Sequence, residues 1–185
     1  SETLRTSMHA AAVRLASGIG YSSAGTVEFL VDCSIEHPEK QPFYLLEMNT
    51  RLQVEHPVTE EVHGLDLVQM QFEVAENRKL ALDPESLSPS GHSIEVRIYG
   101  ENPANDFFPS PGPVNGFIPY KGQGIRWEIG LDTFDEISAG FDPMVAKVIA
   151  TGRDRQKAIK NMIDYLEKTH FGAELSNINF LHLIF

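Results

Sequence analysis

Three side chains that could bind a metal ion through oxygen atoms stand at spacings that would bring them to one face of a two-stranded sheet. Glu28 lies in the alternating segment Thr26–Asp32, while Glu47 and Asn49 lie in a second strand-like segment, Phe43–Asn49. Residues two apart on a strand share a face, so Glu47 and Asn49 project together, and Glu28 joins them if the two strands pair. Two carboxylates and an amide oxygen suit Mg²⁺ or Mn²⁺, which commonly bridge phosphate oxygens. The spacing therefore predicts a divalent metal site.

A run of polar side chains follows directly. Arg51, Gln53 and Glu55 continue the two-residue spacing. Arginine is a forked donor for a small planar anion, glutamine can orient that anion, and a nearby carboxylate could remove its proton. A single glutamate on a half-buried strand is most often a solvated surface residue. A surface ladder of ion pairs would account for the charges. It would not explain why this run follows directly after the metal-type triplet formed by Glu28, Glu47 and Asn49, so the pattern favours a binding site.

Residues 28 and 47–57, with the pattern Glu … Glu-Met-Asn-Thr-Arg-Leu-Gln-Val-Glu-His-Pro, resemble the signature of the biotin carboxylases, a family of ATP-grasp enzymes. The paired Glu and the Glu-x-Asn element are shared by ATP-grasp enzymes broadly, including carbamoyl phosphate synthetases. The extension Arg-Leu-Gln-Val-Glu-His-Pro is far more specific. The resemblance also covers residues 95–98, 108–112, 126–128 and 142–147.

The resemblance implies ATP-dependent chemistry at the first group of residues. Glu28, Glu47 and Asn49 would hold the magnesium (or manganese) ions that bridge the ATP phosphates, and Leu30 would form part of the adenine pocket. ATP and a divalent metal are therefore the expected ligands. Two other readings stay open: a different ATP-grasp ligase, such as one half of a carbamoyl phosphate synthetase, and a non-catalytic interaction domain that kept the fold.

The same resemblance implies ATP- and bicarbonate-dependent carboxylation of biotin. Bicarbonate would bind Arg51, Gln53 and the backbone amide of Val54, and Glu55 would deprotonate it for attack on the γ-phosphate, giving carboxyphosphate. That intermediate would decompose to CO2 and phosphate, and the phosphate would take the proton from the ureido nitrogen of biotin. Arg97 would bind biotin and stabilise negative charge on its ureido oxygen. The expected catalytic residues are Arg51, Glu55 and Arg97.

The elements that must position these residues form an α+β chain in two parts. Between Leu82 and Gly91, prolines, serines and a glycine interrupt the hydrophobic period, which indicates a domain boundary. We expect residues 1–85 to be the C-terminal half of an ATP-grasp domain. Residues 86–185 are expected to be a β-rich biotin carboxylase C-terminal domain with helices, truncated at its end.

Hydrophobic periodicity predicts further elements in each part. In the first part, helices are expected at 4–15 and 65–77, the latter with Asp66 as its cap, and His56-Pro57 is expected to fix a turn. In the second part, Arg97 alternates with Val96 and Ile98, so we expect it to face away from them. The elements predicted there are strands at 93–101, 114–118, 125–129 and 144–151, a helix at 154–168 and a helix capped by Ser176.

Composition narrows the function classes. A formal net charge of -11 argues against a nucleic-acid binder. A single cysteine, Cys33, permits neither an internal disulfide nor a cysteine-based zinc site. The sequence has no basic-then-apolar leader and no apolar run long enough to span a membrane. We expect a cytoplasmic protein, or one of the mitochondrial matrix in a eukaryote.

The two ends indicate a piece of a longer protein, since Ser1 opens directly on a helix pattern and Phe185 ends an apolar stretch. The Gly-rich loop and phosphate-binding lysines of an ATP-grasp enzyme are not found, so we expect no turnover from this chain alone.

The implied partners are a biotin carboxyl carrier domain and a carboxyltransferase. A homodimer through the second part would involve Arg126, although the loop at 121–124 lacks the aromatic residue of some bacterial members. The acceptor stays open between acyl-CoA, urea and pyruvate types, with residues 142–147 closer to the first two.

Overall fold

The computed structural model describes residues 1–132, 135–172 and 176–185, with residue 85 described by its backbone only. It forms two compact units. The first unit comprises Ser1–His56 and Asp66–Glu85, and the second comprises Pro57–Leu65 and Ser86–Phe185. The predicted mixture of helices and sheets is confirmed. The division into domains at residues 85 and 86 stays a prediction.

The first unit contains an antiparallel two-stranded sheet and two α-helices. Its elements are α1 (Glu2–Gly18), β1 (Thr26–Val31), a 3₁₀ turn at Pro38–Lys40, β2 (Phe43–Asn49) and α3 (Leu67–Ala75). Each helix begins at a side-chain cap, because a side-chain oxygen can satisfy a backbone N–H that has no partner in the first turn. The hydroxyl of Ser1 accepts from the N–H of Leu4, and the carboxylate of Asp66 accepts from that of Gln69 at 2.8 Å. The cap predicted at Asp66 is confirmed.

One residue interrupts the regular pairing of β1 with β2. Glu28 lies opposite Glu47, whereas the next residue of β1, Phe29, lies opposite Leu45. Leu46 is therefore an extra residue on β2, which makes this irregularity a β-bulge. The loop end of the hairpin is held by an edge-to-face contact between the rings of Phe29 and Phe43, whose centroids are 5.3 Å apart.

The second unit is built on a three-stranded antiparallel sheet. Its strands are β3 (His92–Tyr99), β8 (Ile125–Ile129) and β10 (Met144–Gly152), in the order β3–β10–β8. Short strands pair two by two beside it, as β4 (Glu101–Asn102) with β5 (Phe108–Pro109), β6 (Gly112–Pro113) with β9 (Glu136–Ile137), and β7 (Phe117–Ile118) with β11 (His170–Phe171). The helices are α2 (His56–His63), whose first residue ends the first unit, α4 (Arg155–Lys168) and α5 (Ile178–Ile184), and a 3₁₀ turn spans Pro84–Ser86.

The hydrophobic core lies between this sheet and α4. Ile98 of β3 and Val148 of β10 are fully buried, and Met162 and Leu166 of α4 pack in the same cluster. Asp154 caps α4 by accepting from the N–H of Lys157 at 2.8 Å. The amphipathic helix predicted from residue 154 to residue 168, with its apolar side facing inward, is confirmed.

Three local predictions are wrong. His56 and Pro57 begin a helix rather than fix a turn, because proline is tolerated in a first helical turn, where its missing N–H has no intrahelical role. The strand expected over 114–118 is reduced to Phe117–Ile118, since Gly116 adopts a positive φ of 111°. The last helix follows Asn177 rather than a cap at Ser176.

Within the described ranges, the longest and most apolar helices still fall short of what a bilayer crossing requires.

Candidate active site

The three predicted metal ligands meet on the β1–β2 sheet. Glu28 and Glu47 lie directly opposite each other, and Asn49 lies two residues beyond Glu47 on β2. The side-chain nitrogen of Asn49 donates hydrogen bonds to one carboxylate oxygen of Glu28, at 2.8 Å, and to one of Glu47, at 3.1 Å. The structure thus brings together two carboxylates and an amide from two strands.

This arrangement fits a divalent cation. Like charges directly opposite on neighbouring strands repel, so the Glu28–Glu47 pair requires a donor or a cation between its members. The amide of Asn49 fills that role here, and turning it over would present its oxygen instead, since the two amide orientations are distinguished only by their hydrogen bonds. No group of three His, Cys, Asp or Glu side chains suited to a metal occurs in the described part of the chain. Two carboxylates and one amide would leave coordination positions for water and phosphate, as Mg²⁺ commonly requires.

Arg51 adjoins the metal-type triplet through Asn49. Its guanidinium donates to the side-chain oxygen of Asn49 at 3.4 Å and to the backbone oxygen of Leu52 at 3.2 Å. The side chain is exposed. A forked cation is therefore accessible beside the carboxylates, where it could bind an anion.

The other residues predicted to act on bicarbonate lie in a turn rather than on a strand. β2 ends at Asn49, so the two-residue spacing of Arg51, Gln53 and Glu55 does not place their side chains on one sheet face. The carbonyl of Gln53 accepts from the N–H of His56 at 3.2 Å, which closes the turn at the start of α2. Val54 is half-buried and Glu55 is exposed. The roles of Gln53, Val54 and Glu55 stay predictions.

Leu30 lies two residues beyond Glu28 on β1 and hence on the same face. Its side chain is 58% exposed although it is apolar, and so is that of Tyr44, its partner on β2, at 60%. An uncovered apolar surface next to the carboxylates is compatible with an adenine pocket. That assignment also stays a prediction.

Arg97 lies on β3, opposite Lys147 of β10. Its neighbours Val96 and Ile98 are buried in the core, and Arg97 itself is half-buried, so the predicted alternation is confirmed. The position of Arg97 relative to Glu55 stays a prediction, as does its role toward biotin.

A chain of charges extends across the sheet from Lys147, and its two buried members are Lys147 and Glu60. Its ammonium lies 2.6 Å from one carboxylate oxygen of Glu128, and the other oxygen of Glu128 accepts from Arg126. Arg126 also pairs with Glu60 of α2 at 2.7 Å and with Glu61 at 3.3 Å. Lys147 pairs with Glu128, whereas the carboxylate of Asp142 accepts from the N–H of Met144.

The charged side chains in this chain of charges stabilise one another. Burial raises the pKa of Glu128, but hydrogen bonds from Lys147 and Arg126 outweigh that effect, so its pKa lies below the ordinary glutamate value. Burial lowers the pKa of Arg126, yet its bonds to Glu60 and Glu128 bring the net pKa above the ordinary value. Glu60 is only 3% exposed, which the sequence did not indicate, since most glutamates lie at the surface. The chain of charges therefore ties α2 to the sheet that carries Arg97.

Replacing Arg126 by Met should lower the free energy of unfolding of the second unit by about 3 kcal/mol. The substitution keeps an apolar stem but removes the guanidinium from the buried carboxylate of Glu60, and breaking a buried pair costs roughly 3–5 kcal/mol. The lower end applies because the Arg126 side chain is 32% exposed. Urea unfolding followed by the fluorescence of Trp127, the single tryptophan, reports on β8 itself.

Arg153→Met is the matched control, because its ion pair with Asp154 is at the surface and its side chain is 89% exposed. We expect a change within about 0.5 kcal/mol there.

The effect of Arg126→Met should shrink in acid. A carboxylate whose pKa is depressed in the folded state stabilises above its unfolded pKa, and that stabilisation is lost as the pH falls through the lowered pKa of Glu128. Equal unfolding midpoints for the two variants would contradict the proposed contribution.

Known proteins match both parts of the chain. Residues 1–83 match the family described as carbamoyl-phosphate synthase L chain, ATP binding domain, and residues 95–185 match the biotin carboxylase C-terminal domain. Biotin carboxylase 2 of Bacillus subtilis is 45% identical over 87% of this chain and 35% of its own length. The alpha subunit of mitochondrial methylcrotonoyl-CoA carboxylase of Dictyostelium discoideum is 42% identical over 98% of this chain and 25% of its own length.

A solved structure agrees over the whole chain. The biotin carboxylase domain of a thermophilic 2-oxoglutarate carboxylase, bound to bicarbonate, superposes with a TM-score of 0.89 at 36% identity, covering 100% of this chain and 40% of that one. The chain thus spans between a quarter and two fifths of the length of these three relatives. The two family matches together leave out only residues 84–94. From its sequence, its paired carboxylates and these similarities, the chain belongs to the biotin carboxylase family.

Proposed function

We propose that the full-length protein containing this chain carboxylates biotin at the expense of ATP and bicarbonate. The observation that carries the proposal is the juxtaposition of Glu28, Glu47 and Asn49 with the guanidinium of Arg51. Acidic oxygen ligands beside a forked cation suit a site that receives both a metal–nucleotide and a small anion. A surface ladder of ion pairs would not place two carboxylates directly opposite each other.

Each residue has a distinct part in this proposal. Magnesium held by Glu28, Glu47 and Asn49 would neutralise the phosphate oxygens of ATP, and Leu30 would contact its adenine. Phosphoryl transfer depends mainly on positioning and charge neutralisation, so accessible fixed cations matter more than covalent chemistry.

The bicarbonate side depends on the turn that precedes α2. Arg51 and Gln53 would hold the anion together with the N–H of Val54, and Glu55 would accept its proton. The deprotonated oxygen would then attack the γ-phosphorus of ATP, so that ADP leaves with the former bridging oxygen and carboxyphosphate forms. Arg97 would stabilise negative charge on the ureido oxygen of biotin, a task that suits a side chain which keeps its proton at all working pH values.

A carbamoyl phosphate synthetase is the second candidate, and the match of residues 1–83 to its ATP-binding domain favours keeping it. The two functions differ in the second substrate. ADP release by the purified full-length protein should require bicarbonate and should rise with free biotin, while ammonium or glutamine should have no effect. Stimulation by ammonium without any response to biotin would instead support the synthetase. No ADP release under any condition would favour a non-catalytic role.

The proposal implies partners of two kinds. A biotin carboxyl carrier domain would present biotin, and a carboxyltransferase domain or subunit would pass the carboxyl group to an acceptor of the acyl-CoA, urea or 2-oxo acid class. One relative is named as a subunit of a mitochondrial carboxylase, which is in keeping with a multi-part enzyme of the cytoplasm or the mitochondrial matrix. A homodimer that used Arg126 would involve a side chain that already pairs with Glu60, Glu61 and Glu128.

A further inference from the structure

Asn177 is bonded to the free edge of β3 beside Arg97. Its side-chain nitrogen donates to the carbonyl of Arg97 at 3.0 Å, and its side-chain oxygen accepts from the N–H of Tyr99 at 3.0 Å. Its backbone N–H donates to the carbonyl of Tyr99 at 3.2 Å. One residue therefore supplies three hydrogen bonds, as a neighbouring strand would, along the edge of β3 that faces away from β10.

The other edge of β3 is irregular at the same place. Tyr99 lies opposite Met144 of β10 and Ile98 lies opposite Ala146, so Val145 is an extra residue in that strand. A bulge of this kind locally disrupts the ladder and bends the strand. Next to Arg97, the hydrogen-bond ladder with β10 is thus weakened. The hydrogen bonds from Asn177 therefore contribute a larger share of the interactions that fix the backbone of β3.

The side chain of Asn177 bonds to β3 and does not cap the helix that it precedes. It is 5% exposed, so its polar atoms require protein partners. It precedes α5 without making a side-chain cap, whereas asparagine at such a position commonly caps. Its amide bonds the two peptide groups that flank Ile98 and also hydrogen-bonds the carboxylate of Glu101. The first of these peptide groups fixes the ψ angle of Arg97.

Resting on the proposed function, we propose that Asn177 is a positioning residue for Arg97, holding the backbone from which the guanidinium reaches biotin. It touches no reacting atom and acts only through Arg97. Its effect should therefore be confined to the half of the reaction that involves biotin. Formation of carboxyphosphate, which does not involve Arg97, should proceed as before.

The test measures two activities of the full-length protein: bicarbonate-dependent ATP hydrolysis without biotin, and carboxylation of free biotin. Asn177→Ala should lower kcat/KM for biotin about tenfold, as expected for the loss of one or two hydrogen bonds. ATP hydrolysis without biotin should stay within about twofold of wild type. Asn179→Ala, on the exposed side of α5, is the control and should change neither activity.

The outcomes separate positioning from plain stability. An equal loss of both activities in Asn177→Ala, or no loss in either, would overturn the proposal. Should Asn177→Ala fail to fold, Asn177→Asp decides, because it keeps the acceptor for Tyr99 but turns a carboxylate oxygen toward the carbonyl of Arg97. Its biotin activity should fall while ATP hydrolysis persists, and wild-type biotin activity would equally overturn the proposal. A wild-type protein that does not respond to biotin would contradict the proposed function instead, which is a distinguishable result.

Discussion

Replacing Glu55 by Gln in the full-length protein should reduce bicarbonate-dependent ATP cleavage by about 10²- to 10⁴-fold, the usual contribution of a general base. Glutamine preserves the size and hydrogen-bonding reach of the side chain but cannot accept the proton of bicarbonate. Glu55 is exposed and lies in the turn before α2, so the substitution should leave the fold intact. The measurement is the rate of ADP release at saturating ATP and bicarbonate.

The pH dependence sharpens this test. If Glu55 removes a proton, the residual rate of Glu55→Gln should rise with hydroxide concentration, because hydroxide can then deprotonate bicarbonate in place of the missing base. Glu36→Gln, in the exposed loop between β1 and β2, changes the net charge in the same way and should keep the wild-type rate. A Glu55→Gln protein with full activity would exclude Glu55 as the base.

Replacing Arg97 by Ala should reduce carboxylation of biotin by about 10²- to 10³-fold, the range found when one donor to a developing oxyanion is removed. The reason is that the ureido oxygen gains negative charge as its nitrogen loses a proton. Bicarbonate-dependent ATP hydrolysis without biotin should persist, which separates this variant from Glu55→Gln. Both rates are measured on the same preparation.

Two further substitutions define what Arg97 contributes. Arg97→Lys keeps the charge but loses the planar fork, so we expect only partial recovery. Arg155→Ala, at the exposed first turn of α4, should change neither rate. Loss of ATP hydrolysis together with carboxylation in Arg97→Ala would indicate a general defect rather than a role toward biotin.

The sequence was sufficient for the features that depend on a repeating pattern. Alternation identified β1, β2 and the direction of Val96, Arg97 and Ile98, because the two faces of a strand differ in burial. The charged helix α4 followed from its period and its cap at Asp154. The meeting of Glu28, Glu47 and Asn49 was also predicted, although only a pairing of the two strands could produce it.

Features that depend on tertiary contacts could not be predicted in this way. The burial of Glu60 requires Arg126, which lies 66 positions away in the sequence and on another element. Asn177 was missed because its amide bonds a distant strand edge, whereas local pattern favoured Ser176 as a cap. The helix α2 did carry a signal in Pro57 at its second position, followed by Val58 and Val62 four residues apart, which would share a helix face.

The inserted residue in β2 decides which side chains can act together. From Val31 opposite Phe43 to Phe29 opposite Leu45, the pairing runs regularly, and its continuation would set Leu46, not Glu47, against Glu28. The acidic groups would then project to opposite sides of the sheet. Strand length, rather than residue type, thus determines whether this hairpin can chelate. A relative that kept every carboxylate but had a hairpin one residue shorter would carry two unconnected charges instead of a cation cradle.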